Sequence, residues 1–226
     1  KLDILLEVPF TKDIALLEPT EFIKIILSEY FKINHIVIGE DFKFGYKRSG
    51  DAQLLKTIGR SLGIMVTIAP LIKTNIIDIS STAVREALKN GNPKKASEML
   101  GEWYSIVGTV IEGDKRGRTL GFPTINLDLS GLHLPKFGVY SAVTKVLTGK
   151  YQGSYPAAVS IGERPTYGKN KPNLEAHLLN FSESVYGEQV SVSLIAFQRP
   201  EIAFNSSEEL IQQMQKDCAI AMQLYE

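Results

Sequence analysis

The hydrophobic pattern of the chain changes near Trp103, and this change restricts the folds that the chain can adopt. Before that point, short apolar runs, each predicted to be a strand, alternate with segments whose apolar residues recur at helical spacing. The apolar runs are 2–8, 35–38 and 64–69, and the helical segments are 19–31 and 51–62. Two shorter helices follow, and the second is expected to begin at Asn92 and end at Gly101. This alternation favours a parallel α/β sheet.

From residue 105 to residue 199 the sequence predicts short strands separated by turn residues, with no convincing helix between them. The predicted strands are 105–111, 138–147, 157–161, 174–181 and 189–197. Such a series is typical of an antiparallel barrel or sandwich. After it, a capping box of Ser206 and Glu209 and one apolar stripe predict a final helix. We therefore expect two domains, residues 1–102 and residues 103–226.

The composition excludes several classes of protein. The chain has 25 Lys and Arg and 25 Asp and Glu residues, so its formal net charge is zero. A protein that neutralises many nucleic-acid phosphates needs a basic surplus. No apolar run reaches the roughly 20 residues of a membrane helix, and a single cysteine, Cys218, excludes an intrachain disulfide framework. We expect a soluble cytoplasmic protein with no nucleic-acid or membrane partner.

The stretch 113–126 is the most informative part of the chain. Three glycines in it would let backbone N–H groups approach an anion closely; they are Gly113, Gly117 and Gly121. Three positive charges accompany them, on Lys115, Arg116 and Arg118. Neither common phosphate-binding fingerprint is present. Spacing alone therefore predicts an anion-binding loop, and an exposed basic hairpin loop is the alternative.

The same stretch reads Gly-Arg-x-x-Gly-Phe-Pro-Thr-x-Asn over residues 117–126 and is followed by Gly138-Val139-Tyr140. It resembles the flavokinase signature of riboflavin kinases. The resemblance continues, in the family's order, through residues 162–166, 174–178, 186–187 and 199–204, and covers essentially all of 103–226. It implies an antiparallel riboflavin-kinase β-barrel with a C-terminal helix, which converts riboflavin and Mg-ATP to FMN and ADP.

The resemblance also implies roles for individual residues. Thr124 and Asn126 would hold Mg²⁺ together with the nucleotide phosphates, and Mg²⁺ prefers such hard oxygen ligands. On an extended strand their side chains would share one face. Glu175 would be the catalytic base, and His177, on the same face, is expected to be structural. The residues expected to bind ATP are Gly113, Lys115, Gly117, Arg118, Gly121 and Pro123.

The resemblance implies flavin binding at Arg199 and Phe204, since the family's loop after the last long strand lies against the isoalloxazine. A guanidinium and an aromatic ring both suit stacking on a flat heteroaromatic system. The spacing Arg-x-Glu-x-x-Phe of the family is kept, but Ala203 stands where a Lys is common. A structural alternative remains open, in which Arg199 pairs with Glu201 or Asp217.

The first hundred residues resemble the FMN adenylyltransferase module of bifunctional riboflavin kinase/FAD synthetases. The matching segments are 39–45 and Ser80-Ser81-Thr82-Ala83-Val84-Arg85, with further matches at Arg48, Gly50 and Asp51. The resemblance implies a partial Rossmann-like parallel α/β nucleotidyltransferase domain, with phosphate bound by Ser80, Ser81, Thr82 and Arg85. Ser80 or Ser81 would cap the following helix, and Arg85 would lie in its first turn. A salt bridge from Arg85 to Glu86 or Glu98 is the alternative.

The adenylyltransferase match is incomplete at the start. The family begins with a histidine-containing segment that stabilises charge on the α-phosphate, and the chain has only His35, His133 and His177. Lys1 aligns to roughly the middle of the module. We therefore expect the chain as given to form FMN but not FAD.

Two other functions compete with the kinase. A non-catalytic flavin carrier would keep the pocket without the chemistry. A small barrel that binds single-stranded RNA through its basic loop is the second alternative. The expected small-molecule partners are riboflavin, FMN, ATP and ADP, and no protein partner is predicted.

Overall fold

The structure is a computed structural model that describes residues 3–70, 79–113, 116–164 and 171–225. It divides into two units, Lys1–Ile76 and Ile77–Glu226. The α-helices are α1 (Lys12–Leu16), α2 (Pro19–Glu21), α3 (Ala52–Ser61), α4 (Ser81–Lys89), α5 (Pro93–Leu100), α6 (Arg116–Thr119) and α7 (Ser207–Gln223). A π-helix spans Phe22–Tyr30 and a 3₁₀ helix spans Tyr46–Arg48. The strands are β1 (His35–Gly39), β2 (Lys43–Phe44), β3 (Gly50–Asp51), β4 (Met65–Ala69), β5 (Ser105–Thr109), β6 (Ile125–Asp128), β7 (Gly138–Val146), β8 (Gly153–Arg164), β9 (Lys171–Leu178) and β10 (Gln189–Arg199).

In the first unit, β1 and β4 pair in parallel and confirm the predicted parallel α/β arrangement. The helix predicted over 51–62 is α3, which begins after the N-cap Asp51, whose carboxylate accepts from the N–H of Leu54 at 2.9 Å. Gly63, with φ +75°, follows its end. The core of this unit is formed by Ile23, Leu27, Ile38, Phe44, Ala52, Leu55 and Ile64.

Two predictions for this unit differ from the structure. Residues 3–10 form neither helix nor strand, so the strand predicted over 2–8 is wrong over its described part. A strand needs a partner as well as an apolar sequence, and Ile4 and Leu5 are instead about three-quarters exposed. The helix predicted over 19–31 consists of α2 and the π-helix. The π-helix could not be predicted from the sequence, because nine residues of apolar spacing do not distinguish the two helix types.

The second unit contains a barrel of six antiparallel strands in the order β5-β10-β7-β8-β9-β6. One bridge nearly closes it between the ends of the series, where the N–H of Ile111 donates to the carbonyl of Asn126 at 2.9 Å. The interior is apolar, and its largest fully buried side chains include Tyr140, Leu127, Leu174 and Leu194. The barrel is therefore confirmed in preference to a sandwich.

The strands predicted for the barrel are confirmed in position, but one strand and one short helix were not predicted. β8 is longer than the predicted 157–161 and β9 begins before the predicted 174. β6 was not predicted as a strand, and α6 contradicts the expectation of no helix between 105 and 199. Both elements have only four residues, which is too short for a periodic pattern to identify.

Helices pack against the barrel at its outer surface. α7 packs against β7 and β8 and begins as predicted, since the hydroxyl of Ser206 accepts from the N–H of Glu209 at 3.2 Å. The carboxylate of Glu209 accepts from the N–H of Asn205 at 3.1 Å, one residue before the position of a regular capping box. None of the helices in the described part of the chain has both the length and the apolar character needed to span a bilayer.

Candidate active site

The outer face of β9 carries Glu175 and His177, together with a third polar residue, Asn173. Alternate side chains of a strand point to opposite faces. Those that lie in the barrel core are Leu174, Ala176 and Leu178. Those on the opposite face are Asn173, Glu175 and His177. β9 therefore presents an amide, a carboxylate and an imidazole in a row outside the core.

Strand pairing brings Asn126 next to Glu175. β6 pairs with β9 in a register that sets these two residues directly opposite each other, and opposite residues of an antiparallel pair project from the same face. Asn173 is buried beside them, and its side-chain nitrogen donates to Oδ1 of Asn126 at 3.3 Å and to Oε1 of Glu175 at 3.4 Å. The expected metal ligand and the expected base are thus neighbours that share one donor.

The loop before β6 is folded tightly around Gly117. The carbonyl of Gly117 accepts from the N–H groups of Leu120 and Phe122, at 3.1 and 2.8 Å. A Cβ at residue 117 would overlap the carbonyl oxygen of Phe122, so only glycine fits there without movement. Gly121 has φ +89°, a left-handed conformation that favours glycine. Both glycines are therefore required by the turn itself.

His177 holds the end of this loop. Its Nδ1–H donates to the carbonyl of Pro123 at 2.8 Å, because a carbonyl oxygen can only accept. Its ring meets that of Phe122 edge-on, with the centroids 5.4 Å apart. These contacts agree with a structural role for His177 and fix the chain immediately before Thr124.

Two cavities meet at Thr124. The first, here called the α7 cavity, has a volume of about 220 Å³ and is lined by Glu175, His177, Arg199, Phe204 and side chains of α7 as well as Thr124. The second, the loop cavity, has about 420 Å³ and is lined by Thr124, Arg118, Pro123 and residues between 178 and 186. Thr124 thus lines both a largely apolar cavity and a more polar one.

Arg199 is engaged at the end of β10. Its Nε donates to both carboxylate oxygens of Asp217, at 3.0 and 3.2 Å, and its Nη2 donates to Oδ2 at 2.7 Å. The guanidinium carbon lies 5.9 Å from the centroid of the Phe204 ring. Of the two partners considered from the sequence, Asp217 forms the ion pair, and within the described ranges none joins Arg199 to Glu201.

The α7 cavity also contains a thiol. Cys218 lines it next to Asp217. Burial, and secondarily the charge of Asp217, raises the pKa of the Cys218 thiol to about 11. A thiol in this state is neutral and unreactive near pH 7.

The predicted phosphate-binding residues of α4 line neither of these cavities. Ser80 is the N-cap of α4 and accepts from the N–H of Ala83 at 3.1 Å; Ser81 and Thr82 are the first two helical residues. Arg85 is the fifth residue and so lies in the second turn, not the first. Among the described residues no ion pair joins Arg85 to Glu86 or Glu98.

Two further residues expected to bind ATP are Gly113 and Lys115. Gly113 lines neither the α7 cavity nor the loop cavity, and Lys115 lies outside the described residues. Asn173 was not predicted as a site residue, although its position two residues before Glu175 places it on the same face of a strand.

The donor set suits a hard cation. The available ligands are the Thr124 hydroxyl and the Asn126 amide oxygen, and both are oxygen donors. Within the described residues no group of three or more His, Cys, Asp and Glu side chains is arranged to hold a metal ion. Mg²⁺ does not need one, because it keeps several waters and binds through few protein ligands plus phosphates.

Comparison with known proteins gives matches to family models, to curated relatives and to a solved structure. A family model described as riboflavin kinase matches residues 100–225, and one described as FAD synthetase matches residues 1–83. The bifunctional riboflavin kinase/FMN adenylyltransferase of Buchnera aphidicola (subsp. Schizaphis graminum) is 36% identical over 100% of this chain and 72% of its own length. The protein of the same description from Escherichia coli K12 is 36% identical over 99% and 70%. A crystal structure of a macrolide-efflux protein from Streptococcus pneumoniae superposes with a TM-score of 0.75 at 30% identity, over 94% of this chain and 67% of that one.

Proposed function

The chain belongs to the family of bifunctional riboflavin kinase/FMN adenylyltransferases, and we propose that it transfers the γ-phosphoryl group of ATP to riboflavin, forming FMN and ADP. In this proposal residues 103–226 are the riboflavin kinase domain. Residues 1–102 then belong to the FMN adenylyltransferase domain. The function lies in flavin cofactor biosynthesis.

The observation that carries the proposal is the position of Glu175. It lies directly opposite Asn126 on paired strands, and it lines the α7 cavity together with Thr124, the residue that also lines the loop cavity. Phosphoryl transfer requires two substrates whose reacting oxygen and phosphorus atoms meet in line. Two cavities that share Thr124, with a carboxylate in one of them, support such an arrangement.

Glu175 acts in this proposal as the general base. Its carboxylate accepts the proton of the ribityl 5′-hydroxyl as that oxygen attacks the γ-phosphorus of ATP, and the bond to the β–γ bridging oxygen breaks to release ADP. Asn173, which donates to Oε1 of Glu175, helps to orient the carboxylate. Most of the acceleration then comes from positioning and charge neutralisation.

Thr124 and Asn126 would hold Mg²⁺, and the donor set described above fits this ion. When bound with the nucleotide, Mg²⁺ supplies positive charge to the phosphate oxygens. The tight turn around Gly117 and the bond from His177 to Pro123 keep Thr124 at the junction of the two cavities.

ATP is assigned to the loop cavity and flavin to the α7 cavity. Arg118 and Pro123 line the loop cavity, and the turn that contains Gly117 and Gly121 holds the backbone between these two residues. The assignment of Gly113 and Lys115 to the phosphate site stays a prediction. Arg199 and Phe204 line the α7 cavity, which has the more apolar walls that suit an isoalloxazine ring.

The proposed partners are riboflavin, FMN, ATP and ADP, and the proposed location is the cytoplasm, where ATP is supplied. Ser80, Ser81, Thr82 and Arg85 are proposed to bind phosphate in adenylyl transfer. The expectation that the chain as given forms no FAD stays a prediction. Incubation with FMN and ATP, followed by chromatography of the flavins, tests it, and FAD above background would contradict it. A non-catalytic flavin carrier is not favoured.

Conversion of riboflavin to FMN by the purified chain tests the kinase proposal. Glu175→Gln keeps the size of the side chain and removes the base, so kcat is expected to fall by about 10²- to 10⁴-fold while riboflavin still binds. Glu86→Gln, an exposed position on α4, is the control for loss of one carboxylate and should leave kcat unchanged. Unchanged turnover in Glu175→Gln would remove Glu175 from the mechanism, and absence of FMN with the unaltered chain would overturn the proposed function.

A further inference from the structure

Asp217 is a charged residue buried where the apolar face of α7 meets the barrel. It is 4% exposed, and its carboxylate points from α7 toward Arg199 at the end of β10. A buried carboxylate is unfavourable unless it is paired and hydrogen-bonded. Replacing a whole buried ion pair by apolar residues of similar volume often costs no stability. The presence of a charge there calls for a reason other than packing.

The carboxylate is fully engaged by groups from two elements. Arg199 forms the bidentate ion pair at 2.7–3.2 Å, and the side-chain amide of Gln213, one turn earlier in α7, donates to Oδ1 at 2.9 Å. The carbonyl of Asp217 also accepts from the side chain of Gln198 at 3.0 Å. Gln198 in turn donates to the hydroxyl of Ser141 at 2.8 Å. This network fixes α7 and the last residues of β10 to each other.

The ion pair also determines how Arg199 faces the α7 cavity. Nε and Nη2 are turned to Asp217, and Nη1 donates to the carbonyl of Pro200 at 3.0 Å. Three of the five N–H groups of a guanidinium therefore have partners among the described residues. The plane of the group is held with its carbon 5.9 Å from the centroid of the Phe204 ring. An unpaired arginine side chain would sample many rotamers instead.

We propose that Asp217 is a positioning residue for flavin binding: with Gln213 it locks Arg199 beside Phe204, so that α7 sets the shape of the flavin side of the site. The inference rests on the proposed kinase function. Asp217 acts through Arg199 and not on the reacting atoms. Loss of Asp217 therefore weakens the binding of flavin and leaves phosphoryl transfer in the bound complex nearly unaltered.

A double-mutant cycle tests the inference. Asp217→Asn and Arg199→Gln are each expected to raise the KM and the Kd for riboflavin about tenfold, the scale of a lost cation–aromatic contact. The KM for ATP should not change, and kcat should change less than about twofold, as for a lost binding contact. Because both residues act through one contact, the double variant should be no worse than either single variant. Lys216→Gln, an exposed charge change next to Asp217 on α7, is the matched control and should behave as the unaltered chain.

Two results would overturn the inference. One is a double variant whose KM for riboflavin is the product of the two single effects, since Asp217 would then act independently of Arg199. The other is an equal loss for riboflavin and ATP, which would indicate a general loss of structure. If Asp217→Asn does not fold, the double variant can be measured instead, because it removes both charges of the ion pair and leaves neither buried alone. The inference would also be overturned if the double variant bound riboflavin as tightly as the unaltered chain does. Riboflavin binding is read from quenching of flavin fluorescence without turnover. If the unaltered chain forms no FMN, the kinase proposal fails. The role of Asp217 in riboflavin binding is tested separately, because binding is measured without turnover.

Discussion

Replacing Gly117 with alanine tests whether the loop before β6 positions Thr124 for phosphoryl transfer. A Cβ at residue 117 would overlap the carbonyl oxygen of Phe122 and would lie 3.6 Å from Cγ2 of Thr124. The backbone of Phe122 lies against Gly117 because its N–H donates to the Gly117 carbonyl at 2.8 Å. An alanine at residue 117 would therefore push the Phe122 carbonyl away, and Pro123 and Thr124, which follow Phe122 in the chain, would move with it.

The size of the effect follows from the kind of atom that is in the way. A flexible side chain would move aside at little cost, but the oxygen belongs to the main chain of a hydrogen-bonded turn. Overpacking of this kind costs about 1–3 kcal/mol. If the turn opens to relieve it, the competent loop becomes less populated by about 5- to 150-fold, because 1.4 kcal/mol corresponds to a factor of ten. We expect kcat/KM for ATP to fall by a factor in this range.

The assay is steady-state FMN formation with ATP varied at saturating riboflavin, together with chemical unfolding of each variant. Gly101→Ala is the control. Gly101 has φ +77° and no atom within 4 Å of its Cβ position, so alanine there costs about 1–2 kcal/mol of backbone strain without touching the loop. It should lower stability and leave kcat/KM unchanged. Full activity in Gly117→Ala, or an equal loss in both variants, would refute the reasoning.

Three further predictions concern other parts of the chain. Ser80→Ala should lower the free energy of unfolding of its unit by about 1 kcal/mol, and Ser81→Ala by less, because only the Ser80 hydroxyl caps α4 by accepting from Ala83; equal effects in denaturant titrations would contradict this assignment. The pKa of Cys218 is raised to about 11 from 9.0 by burial, so at pH 8 a maleimide should label it about 100-fold more slowly than an exposed thiol, with the rate rising up to about pH 11; mass spectrometry follows the labelling. Leu174→Ala should destabilise the barrel by about 2–5 kcal/mol, since this side chain is fully buried in its core, and calorimetry that finds a loss below 1 kcal/mol would contradict that packing.

Sequence reasoning was accurate where the interactions are local. The N-caps Asp51, Asn92 and Ser206 bond to N–H groups three residues ahead, so their effect is contained in a few consecutive residues. The strand predicted over 2–8 failed because pairing with another part of the chain, and not apolar content, makes a strand. β6 was missed as a strand for a related reason, since its four residues form one only by pairing with β9.

The candidate site shows the same division. The types and order of the site residues could be identified from motifs, because each motif occupies a short stretch of chain. These residues are the oxygen donors Thr124 and Asn126, the carboxylate Glu175 and the glycines of the turn. Their assembly could not. Asn126 meets Asn173, which is 47 residues away in the chain, only through the register of β6 and β9.

The choice of partner for Arg199 likewise depended on how α7 packs against the barrel. Glu201 lies nearer to it in sequence, yet Asp217, 18 residues away, forms the ion pair. Short-range hydrogen bonds and side-chain alternation depend on neighbouring residues alone and can be inferred from their order. Contacts between distant segments depend on the closure of the barrel and the burial of its core, which involve the folded unit as a whole.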